Sequence, residues 1–221
     1  MNWKEYWKQK AKNKNLSKQV ARTRHGKEIE KINNFLIQYI IKNLKLKKSD
    51  TCLDLCCGNG LITKEIAKNC KEVYAVDFEK TFIDQIKNLK IKNIKAFCKD
   101  IKNIKFNKKF DKILFYAGIQ YFEKKDIIYI FKKIKKICNK NCIIFIGDIP
   151  NQQKIWNFYS NDKYLKFYIR NLLQGKSTIG NWFDKNWLKR ILQYLGFKKV
   201  TCRDQNKNLL NYKSRFDIII S

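Results

Sequence analysis

The sequence predicts an α/β fold in which an open, mostly parallel β-sheet carries helices on both faces. Short apolar runs alternate with segments whose apolar residues recur at helical spacing, the order typical of a parallel sheet with crossover helices. Two glycines follow the first apolar run, at the edge where open α/β sheets bind ligands. The chain of 221 residues, 44% of them hydrophobic, is long enough to bury the core of such a sheet.

The predicted elements alternate in the order that this fold requires. A helix at 27–46 comes first and carries apolar residues at helical spacing. Apolar runs predict strands at 51–56, 73–76, 94–98, 112–116, 142–146, 198–203 and 215–220. Helical spacing predicts further helices at 61–69, 82–89, 125–138 and 187–195. The last two strands form a hairpin, which favours an antiparallel strand at or near the sheet edge.

Two regions lie outside this alternation. Residues 1–25 are polar and carry three aromatic anchors, Trp3, Tyr6 and Trp7. Residues near 151–181 are rich in aromatics and Asn and predict a helical insertion. The expected organisation is therefore a helical cap at 1–46 over the site, followed by a cofactor-binding domain at 47–221.

The formal net charge is +30, from 49 Lys and Arg against 19 Asp and Glu. Such a charge is typical of proteins that bind nucleic acid or anionic membranes. Here 43 of the basic residues are Lys and 6 are Arg, the side chain best suited to phosphate, and the lysines are scattered among 31 Ile and 23 Asn. These are residues of A/T-rich codons. We attribute most of the charge to composition and expect only non-specific, low-salt binding to nucleic acid.

The sequence predicts neither export, nor membrane insertion, nor a metal site. Residues 1–7 lack an apolar signal core, and the longest apolar runs, such as 142–146, are too short to cross a bilayer, so a cytoplasmic location is expected. The 8 Cys show no paired C-x₂-C spacing and there is 1 His, which leaves no tetrahedral ligand set. The thiols are interpreted as buried and free. The sequence is compatible with a monomer or a dimer.

The sharpest motif is residues 53–60, with the sequence LDLCCGNG, where glycines follow a buried strand. Glycines there let the backbone turn tightly and approach a ligand. A dinucleotide site needs a third glycine, but Thr63 stands in its place. Asp54 suits a cationic ligand better than a pyrophosphate. S-adenosylmethionine, which has an ammonium, a sulfonium and no phosphate, fits this motif, whose predicted contacts include Gly58, Asn59 and Gly60.

Two more acids follow the next two predicted strands. Asp77 ends the second strand, where a carboxylate can accept hydrogen bonds from both ribose hydroxyls, and Phe78 can cover the adenine. Asp100 follows the third strand, where its carboxylate and the Ile101 amide can contact the adenine edge. Because a strand-end Asp alone is more often a helix cap, the prediction rests on the joint spacing of the three acids.

With these residues, the sequence resembles the class I S-adenosylmethionine-dependent methyltransferases. The resemblance covers about residues 27–220, and it is carried by the segments 53–60, 73–78, 98–101, 110–114 and 215–220. It implies a Rossmann-like sheet of seven strands whose last strand is antiparallel. It also implies that Asp54, Gly58 and Gly60 surround the methionine part of the cofactor, Asp77 the ribose and Asp100 the adenine. The Cys56-Cys57 pair departs from the small residues often found in the family.

Two shorter segments, 19–27 and 147–151, resemble a subgroup often encoded with bacterial surface-polysaccharide (capsule or lipopolysaccharide) biosynthesis. This resemblance implies a small acceptor that is anionic, bearing a phosphate or phosphoramidate, or is a sugar precursor of such a polysaccharide.

The acceptor side is predicted from residue chemistry. His25 is the 1 His of the chain and can act as a base or position the acceptor, while Tyr116, after the fourth strand, can hydrogen-bond it. Tyr121 lies just beyond, and Asp148, after the fifth strand, can orient His25 or the acceptor. The scarce arginines can clamp an anion, and the candidates are Arg22, Arg24 and Arg215. For each of these residues, a surface or structural role is an open alternative.

The positive charge suggests two other functions. One is methylation of RNA, and the other is non-enzymatic nucleic-acid binding, which would weaken steeply with salt. The scattered lysines and the absence of an appended RNA-binding motif favour a small-molecule enzyme.

Overall fold

The structure, a computed structural model, describes residues 2–20, 27–177 and 179–221; the side chains of residues 17, 18 and 27–31 are not described. The strands are β1 (Thr51–Leu55), β2 (Glu72–Asp77), β3 (Ile94–Cys98), β4 (Phe110–Tyr116), β5 (Cys138–Pro150), β6 (Val200–Asp204) and β7 (Arg215–Ile220). They form a 7-stranded sheet in the order β3-β2-β1-β4-β5-β7-β6. Neighbours from β3 through β5 pair in parallel, whereas β7 is antiparallel to both β5 and β6. The predicted mixed sheet with an antiparallel last strand is confirmed.

Helices cover both faces of this sheet. The described helices are α1 (Trp3–Ala11), α2 (Leu16–Val20), α3 (Lys27–Leu44), α4 (Thr63–Ala67), α5 (Lys80–Asn88), α6 (Lys124–Lys136), α7 (Ile155–Phe158), α8 (Asp162–Leu173) and α9 (Lys185–Tyr194). Successive strand residues point to opposite faces, so β1 contributes to two cores. Cys52 packs in one apolar cluster with Ile40 of α3, and Leu53 packs in the other with Phe131 of α6 and Leu188 of α9. Both faces of β1 are therefore buried, as parallel sheets require.

The largest difference from the predicted elements is β5, expected at 142–146 and observed over Cys138–Pro150. At its start, Cys138 pairs with Phe110, and at its end, Pro150 pairs with Arg215 of β7. Apolar content predicts only the fully buried middle of such a strand. Partners on both sides extend it, and the register of its pairing with β7 shifts between Ile146 and Ile149.

The N-terminal region, predicted only as a polar stretch with aromatic anchors, contains α1 and α2. Asn2 caps α1, because its side-chain oxygen accepts hydrogen bonds from the amides of Lys4 at 3.1 Å and Glu5 at 3.3 Å. α7 and α8 lie within the range predicted to hold a helical insertion. Within the described ranges, no helix has both the length and the apolar character needed to cross a bilayer.

Candidate cofactor and acceptor site

A cavity of about 320 Å³ lies where β1, β2, β4 and β5 end. Its walls come from the loops that follow these strands, from α1 and α3, and from the loop between β6 and β7. Twelve of the predicted site residues are described by the structure, and three of them, Asp54, Gly60 and Arg215, do not line this cavity. The nine that line it are Gly58, Asn59, Asp77, Phe78, Asp100, Ile101, Tyr116, Tyr121 and Asp148. The carboxyl edge of the sheet therefore brings most of the predicted residues together.

The glycine loop after β1 has a backbone that few residues other than glycine adopt easily. Gly58 has φ of +56° and Gly60 has φ of +80°. A Cβ on Gly60 would lie 2.6 Å from Cγ1 of Ile86, and a Cβ on Gly58 would lie 3.1 Å from Cγ1 of Val20. Both glycines thus permit a turn and a close packing contact. Gly60 itself does not line the cavity, and its contact with the cofactor stays a prediction.

Asp77 is fixed at the centre of the cofactor end. Its Oδ2 accepts a hydrogen bond from the Gly58 amide at 2.9 Å, and its Oδ1 accepts one from the Glu79 amide at 2.9 Å. Burial raises the pKa of this carboxyl to about 6, although both amide hydrogen bonds oppose the shift. Among the described residues, Asp77 has no ion-pair partner. A cationic or hydroxyl-rich ligand would satisfy the carboxylate, whereas a pyrophosphate would be repelled.

Asp54, predicted to surround the methionine part of the cofactor, does not line the cavity. Its Oδ2 accepts a hydrogen bond from the Thr63 hydroxyl at 2.7 Å, and the side chain is buried. Burial raises the pKa of Asp54 to about 7, and the Thr63 hydrogen bond opposes that shift. The position of Asp54 inside β1 explains this, because its side chain lies under the face covered by α4. The hydrogen bond from Thr63 links β1 to α4.

Asp100 and α1 meet at the far side of the cofactor end. The Asp100 side chain accepts a hydrogen bond from the Lys102 amide at 3.0 Å, and its Oδ2 lies 3.3 Å from Nζ of Lys4. It therefore caps the short turn Ile101–Asn103 while also facing the cavity. Ile101 is buried beneath it.

Aromatic rings of α1 close the cavity over this end. The Trp3 ring lies 4.8 Å from the ring of Tyr121, and Trp7 lies 5.6 Å from Tyr121 and 6.5 Å from Phe82. The i, i+4 spacing of Trp3 and Trp7 places both on one face of α1. That spacing is visible in the sequence, where these residues were identified only as anchors.

Asn59, predicted to contact the cofactor, uses its amide to hold the N-terminal helices. Its Nδ2 donates to the Leu16 carbonyl at 2.8 Å and to Oε1 of Gln19 at 2.8 Å. Gln19 is buried and donates in turn to the carbonyls of Ala11 at 3.0 Å and Asn13 at 2.7 Å. One side chain of the glycine loop thus fastens the turn between α1 and α2. Sequence reasoning missed Gln19, since nothing local distinguishes it from other surface amides.

The opposite end of the cavity is formed by Tyr116 and Asp148. Burial raises the pKa of Tyr116 well above its usual value, and the Asp148 charge adds to the shift. Asp148 has φ of +58°, an uncommon conformation for a residue other than glycine. Its amide donates to Oδ1 of Asp217 at 3.0 Å, and Oδ2 of Asp217 accepts from the Tyr39 hydroxyl at 2.7 Å. The surrounding structure therefore holds Asp148 in a strained position facing the cavity.

Arg215, predicted to bind the acceptor, lies behind Asp148. It is 1% exposed, and its Nε lies 3.4 Å from Oδ1 of Asp148. The rings of Phe158 and Trp182, 6.0 Å apart, lie 5.5 and 5.4 Å from the guanidinium. Gln205, which sequence reasoning missed, lines the cavity and places its Nε2 3.4 Å from the same Asp148 oxygen. Arg215 and Gln205 therefore hold the Asp148 side chain at the cavity wall.

Three predicted acceptor residues, Arg22, Arg24 and His25, lie outside the described residues. Among the residues that are described, no group of His, Cys, Asp and Glu could hold a metal ion.

Comparisons with known proteins agree with the prediction that one end of this site binds S-adenosylmethionine. Residues 52–141 match a family model described as a methyltransferase domain. The chain is 34% identical over 132 residues to the probable cobalt-precorrin-6B C(15)-methyltransferase (decarboxylating) of Methanocaldococcus jannaschii, covering 56% of this chain and 67% of that protein. To the protein with the same description from Methanococcus vannielii it is 33% identical over 119 residues, covering 52% and 63%. The chain thus spans about three-fifths of the length of several curated relatives that it matches.

A solved structure described as a DhpI–SAM–HEP complex has a similar fold. Its TM-score is 0.70 at 9% identity, and the match covers 99% of this chain and 95% of that chain. At this identity the likeness concerns the fold alone.

Proposed function

The chain belongs to the class I S-adenosylmethionine-dependent methyltransferases, and from that premise we propose that it transfers a methyl group from this cofactor to a small polar acceptor. The observation that carries the proposal is a cavity with two chemically different ends. Gly58 and Asp77 form one end, and Tyr116 and Asp148 form the other. A cofactor and an acceptor can therefore meet inside one enclosed space, which aligns them and excludes water.

The residues at the first end fit the cofactor. When bound, S-adenosylmethionine supplies a methyl carbon made electrophilic by a positively charged sulfur. Each Asp77 oxygen accepts one backbone hydrogen bond and keeps a second lone pair, so we assign the ribose hydroxyls to it. We assign the adenine to the space between Phe78, Asp100 and the rings of α1, because these residues line one part of the cavity.

We assign Asp148 as the general base for a hydroxyl or amine acceptor. Its Oδ1 faces Arg215 and Gln205, so the side chain is held in place from behind. The carboxylate takes the proton from the acceptor while the oxygen or nitrogen lone pair forms the bond to the methyl carbon, and the sulfur keeps the electrons of the broken bond. Tyr116 then hydrogen-bonds the acceptor. His25 is the alternative base, and Arg215 acts as a positioning residue.

The acceptor itself is less constrained than the cofactor. The matched family region ends at residue 141, so it includes Tyr116 of the acceptor end but neither Asp148 nor Gln205. The relatives reported above are named for cobalt-precorrin methylation. The proposal that the acceptor is a polysaccharide precursor is therefore supported only by the resemblance of the short segments 19–27 and 147–151. The proposal that the acceptor carries an anionic group is supported by Arg22 and Arg24. Arg215 adds no support, because Asp148 already balances its charge.

The proposal is tested with the purified chain and S-adenosylmethionine carrying a tritiated methyl group. We expect transfer to a protein-free extract of small metabolites, accompanied by S-adenosylhomocysteine release. Fractionation of the labelled product on anion exchange then shows whether the acceptor carries a phosphate or a carboxylate. Transfer to total RNA with no label in the metabolite extract would replace this proposal by the alternative, an RNA methyltransferase.

A further inference from the structure

One helix far along the chain exposes apolar side chains that the fold does not use. On α8, Leu165 is 36% exposed, Ile169 46%, Leu172 60% and Leu173 83%. Their spacing of four, three and one residues places them on one stripe of the helix. We name these side chains the α8 stripe.

The α8 stripe is not the face that attaches α8 to the protein. Away from these side chains, Asn171 is 8% exposed and Tyr168 places its ring 4.6 Å from the buried Tyr159. The aromatic residues Tyr164 and Phe167, each 42% exposed, also lie outside the stripe. The side-chain oxygen of Asn161 caps the helix by accepting from the Tyr164 amide at 3.0 Å. The helix is therefore held in place without the α8 stripe. A contiguous exposed apolar patch of this kind marks an interaction surface.

Basic side chains flank the α8 stripe on one side. Lys163, Lys166 and Arg170 follow one another at three- and four-residue spacing, so they form a parallel row next to the apolar one. Asp162, in the first turn, is the acidic residue of the helix. An apolar face bordered by Lys and Arg, with aromatic residues beside it, is typical of helices that lie in the interface of an anionic bilayer.

We propose that the α8 stripe docks onto an anionic phospholipid surface, with the basic row toward the headgroups and the apolar side chains below them. A second copy of the chain fits less well, because it would bring two basic rows and two net charges of +30 together. A lipid surface instead supplies both the negative charge and the apolar phase. The docking is peripheral and needs no membrane-spanning helix.

Docking would occur next to the acceptor end of the cavity. Tyr159 under α8 lies 6.1 Å from the ring of Trp182, and Trp182 lies 5.4 Å from the guanidinium of Arg215 behind Asp148. The lipid-binding proposal stands on the helix alone and does not require the proposed function.

The test is sedimentation with vesicles of phosphatidylcholine containing about 30% phosphatidylglycerol, at an ionic strength that screens non-specific attraction of the whole chain. We expect Ile169→Gln/Leu173→Gln, which leaves the charge unchanged, to weaken binding at least about tenfold. The matched control, Leu89→Gln/Tyr194→Gln, replaces two exposed apolar residues on other helices and should bind like wild type.

Equal binding by Ile169→Gln/Leu173→Gln and wild type, or no binding by wild type, would overturn the proposal. The proposal would also be overturned if the wild-type protein is a dimer that does not bind vesicles and this variant is a monomer. That result would assign the α8 stripe to contact with a second copy. If the variant fails to fold, hydrogen exchange on the wild-type protein decides instead. Vesicles should slow exchange of amides 162–173 selectively, and unchanged exchange there would reject the docking surface.

Discussion

The Oδ2 atom of Asp77 lies 2.9 Å from the backbone nitrogen of Gly58 and accepts its hydrogen bond. This contact ties the end of β2 to the glycine loop after β1. The second oxygen is held by the Glu79 amide, so the carboxylate is positioned by backbone alone. A ligand that uses Asp77 therefore meets a group that needs no rearrangement, which lowers the cost of binding.

Asp77→Asn should weaken binding of S-adenosylhomocysteine at least about tenfold, because a neutral amide accepts weaker hydrogen bonds from the ribose hydroxyls than a carboxylate does. The amide oxygen still accepts one backbone hydrogen bond, so the fold should be kept. Isothermal titration calorimetry measures the affinity. Asp84→Asn, at an exposed α5 carboxylate paired with Lys80, is the matched control. Unchanged affinity in Asp77→Asn would remove this residue from the cofactor site.

Cofactor affinity should also fall as the pH drops below about 6. Burial raises the pKa of Asp77 to about 6, so the free protein takes up a proton there in mildly acidic buffer. The cofactor binds the ionised carboxylate, and the protonated form must lose its proton first. Affinity should therefore be constant above pH 7 and decrease by up to about tenfold per pH unit below 6. Asp77→Asn should show a flat profile, and an equal decrease in that variant would assign the proton to another group.

Gly60→Ala should cost about 2–4 kcal/mol of unfolding free energy, because its φ is +80° and a Cβ would lie 2.6 Å from Cγ1 of Ile86. Gly175→Ala is the matched control, since its φ is +62° but no atom lies within 4 Å of the added Cβ. It should cost only about 1 kcal/mol from backbone strain. Urea denaturation compares the two. Equal costs would show that Ile86 moves aside freely and that close packing does not require a glycine.

The contact between Asn59 and Gln19 should control how tightly the N-terminal helices cover the cavity. Asn59→Ala and Gln19→Ala should each speed hydrogen exchange in residues 3–20 and weaken cofactor binding several-fold. Because both variants break the same 2.8 Å hydrogen bond, the double variant should lose less than the sum of the single losses. Asn208→Ala, in an exposed loop, is the control. Additive losses would mean that the two side chains act independently.

The sequence could predict the sheet and the cofactor end because their signals are local. The apolar runs of β1 to β4 are continuous since both faces of the sheet are covered, and Asp77 and Asp100 stand where parallel strands must end together. The extent of β5 was not predictable, because pairing with distant partners such as Arg215 sets its ends.

Side-chain direction explains the differences within the site. Asp54 and Asn59 belong to the predicted glycine motif, and their hydrogen bonds to Thr63 and Gln19 were not predicted. Gln205 was missed because its neighbour Asp148 is 57 residues away in the chain. Such contacts depend on tertiary packing, which no local pattern reveals.

Asp148→Asn should lower kcat by about 10²–10⁴-fold and leave cofactor affinity unchanged, because a general base acts on the acceptor and Asp148 lies at the acceptor end. Arg215 would lose its ion-pair partner, so thermal unfolding must first show that the variant is folded at the assay temperature. Asp204→Asn, at an exposed carboxylate bound by Lys154 and Lys185, is the matched control and should turn over like wild type.

The same assay separates Asp148 from His25, the alternative base. If Asp148 takes the proton, His25→Ala should keep most of its turnover, and any loss should appear in the acceptor KM. A folded Asp148→Asn with wild-type kcat, together with a His25→Ala variant that loses kcat, would transfer the role of base to His25.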